Sequence, residues 1–297
     1  MGRTNAVADL APQGRAPDHR RGIAAFLAIA FGLAWLPFLP ALAGGPAIPA
    51  LMPFAPAIAA FVVRRWVTRE GFADAGLRPG LRRWPLYLVA VLWPLAVIPV
   101  RALAALALGA DPAGFAFPWG VAAPAPLDLL LWSLVSVALV PIFFGEEFGW
   151  RGYLQVRLLA GNPLHAAVAT GLIWGVWHTP LILAGGEPTA DRLQTLLVFP
   201  VFGVYFSIFL GWLRRRTDSV WAASAGHAAN NVTALALTSI AFTGRQGATL
   251  EAAWALPTLV AEAAVLLGIV AADELLRRCR SRHGEGRAQA APLVATA

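Results

Sequence analysis

The chain has 297 residues, of which 58% are hydrophobic and only 13% charged, and its mean hydropathy is +0.65. That composition excludes an ordinary soluble domain and a disordered chain, and it points to a protein embedded in lipid. The formal net charge of +7 requires no nucleic-acid partner, because all 23 basic residues are arginines whose placement follows the apolar segments.

A hydrocarbon core of about 30 Å takes roughly 20 helical residues to cross, and apolar stretches of that order recur along the chain. Residues 1–20 are polar and basic and are expected to form a disordered N-terminus. They precede an apolar segment of spanning length, which predicts a retained signal anchor in place of a cleaved signal. Eight spans are predicted: Ile23–Leu42, Ile48–Val63, Leu86–Leu108, Leu127–Phe144, Leu164–Ala184, Thr195–Leu213, Val220–Phe242 and Ala253–Ala272. The second is short and carries Pro49, Pro53 and Pro56, so it either crosses or re-enters. Inside lipid every backbone polar group must be satisfied within the segment, so the spans are helices. The expected fold is all-α, a polytopic transmembrane helix bundle of about eight spans. One domain covers residues 21–275, followed by a basic, disordered tail over 276–297. The lone Cys279 in that tail excludes a disulfide framework and a thiolate metal site.

Arginine placement tests the topology independently. Cytoplasmic loops are enriched in basic residues and translocated loops are not. Twenty arginines fall before the first span, after the second, fourth and sixth, and after the eighth. The alternate loops hold two, Arg192 and Arg245, and Arg101 lies inside the third span. This asymmetry predicts a multi-pass protein with both termini in the cytoplasm. Abundant alanine, with arginine and no lysine, points to the cell membrane of a bacterium of GC-rich genome.

Polar residues at membrane depth are the functional signal, since each ionised carboxylate there costs roughly 2.5 to 3.5 kcal/mol on insertion scales. Glu146 and Glu147 stand side by side at the end of the fourth span, and Arg151 lies four positions after Glu147. In the fifth span Trp174 precedes His178 by four, which places an aromatic ring one turn back on the histidine's face. In the seventh, His227 and Asn231 are likewise four apart and are predicted to share a face. Taken singly, each cluster has a plain structural explanation: an interfacial anchor, a packing histidine, interhelical glue. Three such clusters in one bundle call for convergence on an interior or water-filled site. A glutamate beside a histidine polarises water, and a histidine with an amide donates to a developing oxyanion. The same atoms make a zinc shell, with Glu146, His178 and His227 as ligands and water in the fourth position. Both routes lead to amide hydrolysis.

The motif Glu146-Glu147-Phe148-Gly149-Trp150-Arg151 resembles the EExxxR motif of the CPBP family of intramembrane proteases, which contains the type II CAAX prenyl endopeptidases and bacteriocin-processing or immunity proteins. His178 with its upstream aromatic resembles that family's FxxxH, with Trp174 where phenylalanine is usual, and His227 with Asn231 resembles its HxxxN. The resemblance implies a conical polar site between helices 4, 5 and 7, open toward the cytoplasm. It implies Glu146 as activator of the attacking water, His178 as its partner, His227 and Asn231 as oxyanion stabilisers, and Glu147, Arg151 and Trp174 in support. The implied partners are the lipid bilayer and a membrane-associated or lipidated, CAAX-like peptide or protein. The residues leave both the Zn2+ and the metal-free route open. The alternative is a non-enzymatic membrane scaffold or bacteriocin self-immunity factor built on the same polar core.

Overall fold

The computed structural model describes residues 19–42, 45–46, 49–107, 126–185, 189–234 and 256–289, all in helices and the turns between them. The principal helices are α1 (His19–Trp35), α2 (Ala55–Val62), α3 (Trp84–Ala107), α4 (Pro126–Gly149), α5 (Pro163–Trp177), α6 (Thr189–Thr217), α7 (Val220–Ala228) and α8 (Leu256–Gln289). Among the described residues, His19–Ala41, Leu130–Arg157, Pro163–Leu183 and Arg192–Thr217 are long and apolar enough to cross a membrane. The 24-residue α3 and the 34-residue α8 also have the length, at about 1.5 Å rise per residue.

Proline sets the shape of the second segment. Pro49–Phe54 forms a 3-10 turn that contains Pro53, α2 has only eight residues, and a π turn follows over Val63–Val67. Proline removes a backbone donor and crowds the preceding turn, which divides this stretch into short pieces. The expected N-terminal tail lies in large part outside the described residues, as does the end of the seventh predicted span beyond residue 234. The C-terminal stretch differs from expectation: α8 continues through residues 276–289 where composition predicts a disordered tail. A helix already nucleated within the bundle propagates through the arginines of this stretch and past Gly284 and Gly286.

Helix crossings rely on small residues, as bundles in lipid require. At the α5–α6 contact a Cβ on Gly171 would stand 2.4 Å from the Gly203 carbonyl oxygen, so only glycine permits this approach. Helix α7 is the centre of the bundle, packed against α3, α4 and α6 and buried continuously from residue 222 to 229. Trp150, Trp174, Trp177 and Trp212 fill the interior, while Leu130, Leu131, Leu134 and Val137 face outward. Two indole hydrogen bonds tie α1 to α5: Trp35 Nε1 donates to the Trp177 carbonyl at 3.0 Å, and Trp177 Nε1 donates to that of Ala30 at 3.2 Å.

The arginine-rich ends meet at one rim. Arg64 donates to the carbonyl of Gly71 at 2.8 Å, to Asp74 at 2.7 Å and to the carbonyl of Gly152 at 2.6 Å. Arg157 pairs with Asp74 at 2.8 Å and Glu70 at 3.1 Å, with its guanidinium 4.4 Å from the Tyr153 ring centre. Arg214 donates to the Asp74 carbonyl at 2.8 Å, and Arg216 pairs with Asp273 on α8 at 2.7 Å. Burial works to raise the Asp74 carboxyl, but the Arg64 hydrogen bond and the charges of Arg157 and Arg64 outweigh it and hold the group below its ordinary 3.8. Elements that sequence reasoning assigns to one side of the membrane are therefore joined at one end of the structure.

Candidate active site

Gly145 and Gly149 flank the paired acids and seat α4 directly on the proline-rich segment. A Cβ at Gly145 would lie 2.6 Å from the Pro53 carbonyl oxygen, and one at Gly149 would lie 2.3 Å from the Pro56 Cβ. With that side of the helix occupied by backbone contacts, the acids turn inward: Glu146 is 7% exposed and Glu147 is 0% exposed. The chain then widens into a π turn over Trp150–Leu154, the kind of bulge often found at functional sites.

The two neighbouring acids have different partners. Glu147 Oε1 accepts from Arg151 Nη1 at 2.9 Å and from His227 Nδ1 at 2.9 Å. The Glu147 oxygen that accepts from Arg151 also accepts from the imidazole, so the Nδ1 proton of His227 points at Glu147 and Nε2 is left for other chemistry. Glu146 stands outside this chain, and its Oε2 accepts from the indole Nε1 of Trp174 at 2.8 Å.

Helix α5 ends at His178, two residues before Pro180, because proline and the residue before it resist continuation of the helix. His178 Nδ1 lies 2.9 Å from the Trp174 carbonyl oxygen, which fixes the proton on Nδ1 and leaves Nε2 as the lone-pair nitrogen. Glu146 and His227 are the ionisable neighbours acting on this ring. Trp174 lies between the site groups: its ring centre is 4.9 Å from that of His178 and 5.5 Å from that of His227, and the Arg151 guanidinium is 5.4 Å from the indole. Phe199 and Phe206 of α6 close the wall, 4.7 Å from His178 and 5.9 Å from His227.

Glu146, Glu147, Arg151, Trp174, His178 and His227 thus come together from α4, α5 and α7, as their spacing predicts. Asn231 does not share the buried face of His227. Helix α7 passes into a π turn over Ala229–Ala234, where one turn takes more than four residues, so the i, i+4 relation lapses. Asn231 is exposed and its Oδ1 accepts from Asn230 Nδ2 at 2.9 Å, which leaves its own amide hydrogens unspent. Sequence reasoning missed two features: the aromatic wall supplied by α6, and the indole hydrogen bond to Glu146. The tryptophan one turn before the histidine was the available signal for the second.

As a zinc site the arrangement does not fit. Among the described residues no three His, Cys, Asp or Glu side chains gather closely enough to hold a metal ion. The steps proposed below are carried by the protein's own groups.

Elsewhere in the bundle, Tyr205 donates to Glu262 at 3.2 Å. The side chains of Arg101 and Asp128 lie outside the described residues.

Residues 126–233, which include every member of the site, match the family model described as Rce1-like, type II CAAX prenyl endopeptidase Rce1-like. No curated protein matches the chain. With four helices of spanning length and composition among the described residues, the match is that of an integral membrane protein with a segment similar to a protease family. The segment that builds the site, residues 126–233, is therefore similar to the type II CAAX prenyl endopeptidase Rce1-like family over about a third of the chain.

Proposed function

We propose that the protein is an intramembrane endopeptidase that hydrolyses a peptide bond in a membrane-associated or lipidated, CAAX-like peptide or protein. The observation that carries this reading is the division of labour between adjacent acids. Glu147 is consumed by Arg151 and His227, whereas Glu146 has one oxygen held and the other open to chemistry.

In this reading a water molecule lies between Glu146 and His178 Nε2. Glu146 removes its proton as the water oxygen attacks the scissile carbonyl carbon, and the carbonyl oxygen becomes an oxyanion. His227 meets that charge through Nε2. Because Nδ1–H is spent on Glu147, Nε2 donates only in the imidazolium form, and the Glu147 carboxylate is the group placed to support that cation. Asn231 adds an amide donor once a substrate draws its side chain inward. The proton on Glu146 then passes, directly or through His178, to the leaving nitrogen as the C–N bond breaks. A positioned base contributes typically 10²–10⁴-fold, and one oxyanion donor about 10²–10³-fold. The reading also places both termini and the arginine-bearing rim on the cytoplasmic side of a bacterial cell membrane, following the twenty-to-two distribution of arginines.

The test is cleavage of a prenylated CAAX peptide by purified protein in proteoliposomes, wild type against Glu146→Gln. Cleavage by the wild type and none by the variant supports the proposal, whereas equal cleavage by both removes Glu146 from the chemistry. Chelation should leave turnover unchanged, and a loss restored by added zinc would bring back the three-ligand metal route.

A further inference from the structure

We infer that Trp174 is a positioning residue whose indole N–H fixes the carboxylate of Glu146 in its working orientation. The inference rests on the peptidase reading and deepens it at a position where this chain departs from the phenylalanine of the motif it resembles.

Four observations point the same way. The Nε1 to Oε2 distance is 2.8 Å, and Trp174 is 2% exposed, so the bond lies in a dry setting. The indole is held in place by Phe199, Phe202 and Phe206 at centroid separations of 6.0, 5.8 and 6.0 Å. Its helix is seated against α6 by Gly171 on Gly203 and by Gly175, where a Cβ would meet the Pro200 Cα at 2.7 Å. The carbonyl of the same residue accepts from His178 Nδ1 at 2.9 Å, so one rigid residue orients both the base and its partner.

The physical need is clear from the surroundings. A carboxylate against aromatic rings lacks solvation, and the indole N–H supplies one charge-assisted hydrogen bond in its place. It also selects an oxygen: Oε2 is pinned, and Oε1 is presented to the water. Phenylalanine would keep the wall and leave the carboxylate free to rotate. Holding reacting groups within about half an ångström of the productive geometry is the usual task of such supporting residues.

Replacing Trp174 by benzothienylalanine, which keeps the bicycle and puts sulfur where the N–H was, isolates the donor from the packing. In the proteoliposome assay, kcat should fall by about tenfold or more, as expected for loss of a hydrogen bond to a charged group, with KM and melting temperature unchanged. Trp174→Phe should show the same split between kcat and KM. Undiminished kcat in the isostere overturns the inference, provided that Glu146→Gln is inactive in the same assay. A second readout does not depend on activity. The ¹⁵N-indole resonance of Trp174 should move when Glu146→Ala removes the acceptor, and an unmoved resonance refutes the hydrogen bond. Absence of cleavage by wild type and variants alike tells against the peptidase reading, and the indole resonance then decides the positioning claim alone.

Discussion

Two arginine–carboxylate clusters meet near the π turn at Trp150–Leu154 and are built on different principles. At the rim, Arg64 is buried but reaches two backbone carbonyls as well as Asp74, and the Asp74 side chain is 55% exposed. Inside, Arg151 and Glu147 are both 0% exposed, and Arg151 Nε and Nη2 and Glu147 Oε2 have no hydrogen-bond partner among the described residues. The rim cluster, which reaches backbone carbonyls and a half-exposed carboxylate, holds elements together. An ion pair with both members dry is costly to keep, and its persistence marks a site kept for chemistry.

The contrast orders the expected effects of breaking each cluster. The largest falls on turnover: Glu146→Gln should reduce peptide cleavage by at least about a hundredfold, the range for a lost general base, with no change in melting. Arg151→Met comes next, because it removes the guanidinium and leaves the buried Glu147 with the His227 hydrogen bond alone. A loss of about 3–5 kcal/mol is expected, read as a lower melting midpoint in detergent. At the rim, Arg64→Met should be milder, about 1.5–3 kcal/mol, with faster hydrogen exchange confined to residues 68–80 and the turn around Gly152. The smallest effect concerns Asp74. Its carboxyl is held below 3.8, so its stabilising contribution is complete above that value and is lost as pH falls through the lower folded value. Exchange in residues 68–80 should therefore quicken in that acidic window, and Asp74→Asn should remove the pH dependence. Because Asp74 is more than half exposed, solvent screening keeps the change small.

Much of this was legible in the sequence because lipid removes ambiguity. Spans show as apolar runs, and polar residues inside them must find one another, which is why Glu146, Glu147, His178 and His227 could be brought together on paper. The i, i+4 spacing of Glu147 and Arg151 foretold a contact that the structure shows at 2.9 Å. The same spacing misled at His227 and Asn231, since a π turn is a backbone choice made by tertiary packing and has no side-chain signature. Composition also differs from the structure in the tail, where a helix nucleated inside the bundle runs on to Gln289. The role of Arg64 was invisible because its acceptors include the carbonyls of Gly71 and Gly152, and every residue carries a carbonyl.

The most direct test of the division between the two acids compares Glu146→Gln with Glu147→Gln in one preparation, recording peptide turnover and melting temperature together. The account predicts that Glu146→Gln abolishes turnover at wild-type melting, while Glu147→Gln lowers both, because it releases Arg151 and His227. Wild-type turnover in Glu146→Gln, or a Glu147→Gln protein that melts and cleaves as the wild type does, would contradict it.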